Sequence, residues 1–161
     1  MGIVTAPRVL VARPYPTQLR ARMFDVLRGI GLDMDSATIV PSGTSDEDAI
    51  TTIVDTAPDV LLVPFNAHRD ADGGMLDGLT LCGRLAQRAD ARMMPVVMPV
   101  SRMAAANLRL KSSAGEHAEL YAELLRTMIL VFEDEQLDEP DAPERVRAHL
   151  RQHGLVLRAT P

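Results

Sequence analysis

Two histidines four residues apart (His149 and His153), one cysteine (Cys82) and the alternating polar groups His68, Asp70 and Asp72 are the side chains best suited to metal or nucleophilic chemistry. Histidines at i and i+4 share a helix face and can chelate a transition metal. Alternate acids in a loop can hold a hard cation. Each set falls short of a site. The 66–74 loop lacks the oxygen-ligand count and terminal bidentate glutamate of a calcium loop, so a solvated loop is expected. His117, His149 and His153 lie in helical surface patterns and read as solvated. Cys82 falls on an apolar helix face, where buried thiols are usually inert. No GxSxG elbow surrounds Ser101. No acid–base pair or nucleophile can be assembled, so the chain is not expected to be an enzyme, and no metal or cofactor is implied.

The elements that would position any site alternate in type. Three apolar runs read as parallel strands, at 8–12, 59–63 and 95–98, and a short one lies at 37–40. Between them, Leu19, Met23, Val26, Leu27 and Ile30 recur at helical spacing after Thr17, with Gly31 at the expected C-cap. Thr44 and Glu47 have capping-box spacing before a helix that buries Ala49, Ile50, Ile53 and Val54 and that Pro58 helps to end. A third helix, which Asp77 is expected to cap, presents Leu79, Cys82, Leu85, Ala86 and Ala89. The 95–98 run is apolar enough to be central and covered on both faces. This alternation predicts an α/β fold: a doubly wound parallel sheet of flavodoxin-like type with a helical C-terminal extension.

Composition bounds the function. At 161 residues with 47% apolar content the chain suits one globular domain. A net charge of −5 argues against nucleic acid as the main partner, because phosphate binding needs a basic face. No apolar stretch approaches the roughly 18 residues a membrane span requires, so no membrane insertion is expected. A single cysteine and the absence of a signal-peptide pattern point to the cytoplasm.

The C-terminal third admits alternatives. Residues 102–111 read as a short Ala-rich helix capped by Ser101, or their second half as a fifth strand at 108–111. Residues 116–132 read as one long helix, apolar on most sides near its end through Leu120, Tyr121, Leu124, Leu125, Met128 and Phe132. That face must be covered by the terminal helix or by a partner. An acidic linker at 133–141, a small helix at 143–153 and a candidate terminal strand at 155–158 complete the chain. The domain reading is a body at 1–133 and an extension at 134–161, which either packs on its own chain or swaps onto another.

Four phrases in order, Arg8–Pro16, Pro58–Pro64, Met75–Cys82 and Met94–Met98, resemble a bacterial response-regulator receiver domain. The resemblance implies two-component signalling and a metal-assisted phosphoryl site at the carboxyl ends of the strands. Aligned this way, the family's acidic pair falls on Arg13 and Pro14, its phosphoacceptor on Pro64 and its switch hydroxyl on Val100. Its lysine falls on Lys111 only if the fourth helix is nearly deleted. The segment between Pro64 and Gly78 is about six residues longer than such a connection needs. Mg²⁺ requires carboxylate oxygens, and arginine would repel it. Proline has no nucleophilic oxygen, so an acyl phosphate cannot form there. The resemblance is to a degenerate pseudo-receiver.

The expected function is non-catalytic, phosphorylation-independent protein interaction, with a homodimer as the expected assembly, because the corresponding face in receivers commonly dimerises. The alternative is a small-ligand-binding flavodoxin-like domain, similar to cobalamin-binding modules, although no DxHxxG phrase follows the first strand. Its pocket would be lined by Arg13, Tyr15, Asn66 and Ser101, since arginine forks onto carboxylate or phosphate. Against it, no glycine-rich phosphate loop follows the first strand, and Arg13 reads better as filling the volume of the lost metal.

Overall fold

Valine- and leucine-rich runs without a polar position make strands that must be covered on both sides, and the chain arranges them accordingly. In the computed structural model the described residues are 7–12, 17–41, 44–65, 68–69, 75–88, 90, 93–155 and 157. The main sheet contains β1 (Val9–Val11), β2 (Thr38–Ile39), β3 (Val60–Leu62), β6 (Val96–Val100) and β7 (Ile129–Glu133), in the order β2-β1-β3-β6-β7. Every pairing is parallel. A separate antiparallel pair, β4 (His68–Arg69) with β5 (Met75–Leu76), brackets the 70–74 segment. The polar loop expected across 66–74 is therefore partly a small hairpin.

Side-chain alternation divides the core in two. Leu10, Leu61, Val63, Val96, Met98, Val100 and Ile129 face α2 (Asp46–Thr56), α3 (Gly78–Ala86), α4 (Arg102–Ser113) and α5 (Ala118–Thr127). Val9, Val11, Val60, Leu62, Val97 and Phe132 face α1 (Thr17–Gly29) and α6 (Ala142–Gln152). All five residues of β6 are buried, as the sequence predicts for a central strand. No helix among the described residues is long and apolar enough to cross a membrane.

Local chemistry sets the helix ends. Gly31 follows α1 with φ 98°, a left-handed conformation that glycine adopts without steric cost. Ser45, one residue after the expected Thr44, caps α2 by accepting from Asp48 N–H at 3.1 Å, while the Thr44 hydroxyl donates to the Pro41 carbonyl. Asp77 and Ser101 cap α3 and α4 as expected.

The long helix expected at 116–132 is instead α5 followed by β7, and this supplies the fifth strand. Residues 108–111 do not, since they lie in α4; of the candidate strand at 155–158, Val156 and Arg158 lie outside the described residues, and Leu155 and Leu157 pack against the α1/α6 core. The all-round apolarity near residue 130 is that of an edge strand covered by helices on both sides. The six residues read as one helical face accordingly separate. Tyr121, Leu124 and Met128 are buried on one side of the sheet, with Leu120 and Leu125 packed beside them, and Phe132 is buried on the other side beneath Arg145.

A 3-10 turn (Asp134–Asp138) leads into α6, whose Ala142, Val146 and Leu150 are fully buried in the core that α1 shares. Residues 134–152 thus pack on their own chain. His149 and His153 are not solvated spectators. Their Nε2 atoms donate to the Met128 and Thr127 carbonyls at 3.1 and 2.9 Å, tying α6 to the end of α5; the Met128 carbonyl also accepts from the Val96 N–H at 2.9 Å.

Phe132→Ala should destabilise the domain by about 3–5 kcal/mol in chemical denaturation, whereas Leu110→Ala on the exposed side of α4 should change it by under about 0.5 kcal/mol. Burial, and secondarily the charge of His153, hold His149 below its ordinary value of 6.5. The neutral ring is favoured in the fold, so its contribution is complete above pH 6.5 and is lost as pH falls toward the depressed folded value. Denaturation midpoints taken between pH 8 and 5, in steps of about one unit, should fall over that window, and His149→Gln should flatten the decline.

Candidate functional site

In an open parallel sheet the crevice lies outside the carboxyl ends of the strands, where the order reverses. Here the chain runs from β1 outward to β2 and then back to β3 on the other side, so the reversal falls between β1 and β3. Ala12 follows β1 and donates its N–H to the Leu62 carbonyl at 2.9 Å. Val63, Pro64 and Phe65 follow β3, and all three are buried. Val100 ends β6, also buried, and Ser101 follows it as an exposed cap of α4. Of the residues read from the sequence as pocket or metal positions, Arg13, Pro14, Tyr15 and Asn66 lie outside the described residues, as do Asp70 and Asp72.

What remains of this rim is poor in chemistry. The Val63 N–H donates to the Val97 carbonyl at 3.1 Å and the Phe65 N–H to the Pro99 carbonyl at 3.3 Å. Pro64 and Pro99 have no N–H at all. The described end of β3 thus offers neither a carboxylate nor a spare amide to an anion, and the described end of β6 offers no carboxylate. Among the described strand ends of the main sheet, a carboxylate stands only at the end of β7, where Glu133 lies 3.8 Å from Arg109 and its N–H donates to Gln136 Oε1 at 2.9 Å. Glu135, just beyond it, pairs with Arg102 at 2.6 Å.

The built cluster lies beside the rim, at the start of α3. Gly78 is pressed against the end of β3 so closely that a Cβ there would stand 2.5 Å from the Pro64 carbonyl oxygen. Immediately before it, Asp77 Oδ1 accepts from the Thr80 N–H at 2.8 Å and from the Thr80 hydroxyl at 3.1 Å. Asp77 Oδ2 accepts from Lys111 Nζ at 2.6 Å, and Lys111 also donates to Thr80 Oγ1 at 2.8 Å. The ammonium lies 5.4 Å from the centre of the Tyr121 ring. Cys82 sits in the core below, where burial, reinforced by the Asp77 charge, pushes its thiol up to about 12. A thiolate nucleophile is thereby excluded at neutral pH.

Lys111 therefore has a place other than the one considered for it. It stands in the last turn of α4, a helix of full length, and the strand in fifth position ends on Glu133 instead. The Asp77–Lys111–Thr80 cluster was not legible as a unit, because Lys111 lies 34 and 31 residues from the other two. One signal was available: Lys111 is the only lysine in the chain. A sequence that uses arginine everywhere else marks the position where a compact ammonium is needed.

No protein-family profile matches the chain, and no curated protein is similar to it. Solved structures are. A response regulator receiver domain (CheY-like) from Methylobacillus flagellatus superposes with a TM-score of 0.54 at 16% identity, over 91% of this chain and 99% of that one. A signal receiver domain from Vibrio parahaemolyticus gives 0.50 at 13% identity, over 93% and 94%. The fold is the CheY-like receiver, or flavodoxin-like, α/β fold expected from the strand phrases.

Gly78→Ala forces a methyl group into the backbone at Pro64. It should cost about 1–3 kcal/mol by denaturant melt, the range for overpacking, whereas Ala106→Gly at an exposed α4 position should cost no more than about 1 kcal/mol.

Proposed function

We propose that this domain is a non-catalytic, phosphorylation-independent signalling module of the pseudo-receiver type, acting by binding a protein partner, with a second copy of the chain as the first partner to examine. The observation that carries the reading is Pro64. The residue at the end of β3 is buried, has no nucleophilic oxygen and no N–H, and is closed in by the first residue of α3. The carboxylate beside it, Asp77, is engaged by a helix N-terminus and an ammonium at once. An aspartyl phosphate needs a carboxylate that is free to attack. Val100 at the end of β6 supports the same reading, because a valine cannot hydrogen-bond a phosphoryl group as a switch hydroxyl would.

With Tyr121, Leu124, Met128 and Phe132 covered by the chain itself, the large apolar side chains left exposed among the described residues are Ile39, Met93 and Leu110. They are scattered over the loop after α3, one edge strand and α4, so a partner meets a mainly polar surface. The interaction reading implies a modest, mixed interface of the kind transient signalling contacts use.

Incubation with a small phosphodonor and Mg²⁺, followed by intact-mass measurement, should leave the chain without a phosphoryl adduct. A stoichiometric, hydroxylamine-labile adduct would overturn the reading. A native mass spectrum of the same protein should show the 17.6 kDa chain or a whole multiple of it with no added mass. A retained non-protein mass would replace this reading with the ligand-binding one and direct attention to Arg13, Tyr15, Asn66 and Ser101.

A further inference from the structure

Lys111 on α4 meets two other helices with its three contacts. Asp77 belongs to the turn entering α3, Thr80 to the first turn of α3 and Tyr121 to α5. An ammonium has three donors in tetrahedral array and suits three partners in three directions; the planar fork of arginine does not. The pocket is also shaped for it. Tyr121 reaches α3 only because residue 83 is a glycine, whose Cβ would stand 2.8 Å from Tyr121 Cε1. On the other side, the α3 start that carries Asp77 rests on the Pro64 carbonyl. A continuous line of contacts thus runs from the crevice floor at Pro64, through Gly78 and Asp77, to Lys111 on α4.

We propose that Lys111 is a latch with two positions, which in its closed position makes α4 and the start of α3 move as one unit. Closed, the ammonium is held by Asp77 and Thr80 over Tyr121. Open, it is in water and the last turn of α4 is free of α3. Among the described residues α4 has few other polar ties to the rest of the fold. Arg102 with Glu135 is exposed, and Arg109 with Glu133 is long at 3.8 Å; both are at the end of β7, and such pairs are weak. Lys111 and Asp77 are the shielded pair, with side chains 31% and 10% exposed. Any partner or modification that takes the charge from Lys111 or competes for Asp77 would release α4, with no phosphoryl chemistry involved. The latch stands independently of the interaction reading above.

The single lysine makes the test direct. The full-length protein is treated with a trace of acetic anhydride, and acetylation at residue 111 is followed by peptide mass against a free peptide of sequence LRLKSS under identical conditions. Lys111 should react at least about tenfold more slowly than the peptide, since the closed latch excludes the reagent. Asp77→Asn keeps an acceptor for the helix cap but removes the charge, and should bring the rate toward that of the peptide. Hydrogen exchange should then quicken in α4 and in residues 77–81 together, as it should in Lys111→Met, which keeps the apolar stem. Arg109→Ala should leave both segments unchanged. Reaction of the wild-type lysine at the peptide's rate overturns the proposal without recourse to any variant. An unchanged labelling rate in Asp77→Asn overturns it too, as does faster exchange confined to α4.

Discussion

Parallel strands cannot be joined by tight turns, so each needs a crossover, and the crossovers lay helices on the sheet until both faces are dry. That requirement shapes this molecule from end to end. It makes β6 apolar at every position and gives α1 only half of one face to cover. The remainder of that face, over Phe132 and Val97, would be open to water without α6. The chain therefore continues through an acidic 3-10 turn to place Val146 and Leu150 there, and two histidines close the seam against the carbonyls of Thr127 and Met128. The other face carries α2, α3, α4 and α5, because two helices, α4 and α5, stand between β6 and β7.

The same geometry forces the strand ends into a common rim. A phosphoryl or carboxylate site in such a crevice uses backbone amides as well as charged side chains. Here proline stands just after β3 and at the next-to-last position of β6, and neither has an N–H to donate. Proline within a central strand normally sacrifices a ladder bond. At Pro99 the carbonyl still accepts from Phe65, so the pairing with β3 survives while the donor is gone. The described part of the rim, at Val63, Pro64, Phe65 and Val100, is buried.

Much of this was legible because it depends on short-range pattern. Four of the five strands of the sheet, the caps at Asp77 and Ser101 and the flavodoxin-like class all follow from runs of a few residues. What failed did so for physical reasons. Residues 116–132 carry an amphipathic helix directly followed by an edge strand, separated by Met128 alone, with no glycine or proline to punctuate the change. Period-based reading merges the two. Thr44 and Ser45 are both competent caps, and choosing between them depends on the tertiary entry angle of α2. His149 and His153 read as surface residues because their partners are backbone carbonyls, which leave no mark in sequence.

Lys111 and Asp77 are the deeper case. A partly buried ion pair adds little net stability, because removing two charges from water costs about as much as their attraction returns. An apolar pair of similar volume could fill the space between α3, α4 and α5 equally well. What an apolar pair would lack is direction. Dispersion contacts tolerate sliding by an ångström, whereas three hydrogen-bonding and ring contacts at one nitrogen fix the last turn of α4 relative to the cap of α3. A residue chosen for register, one that can also be neutralised or displaced, suits a domain whose helices must hold one arrangement and be able to leave it. On that argument the proposed latch would place a switching element of this domain at the joint between α3 and α4.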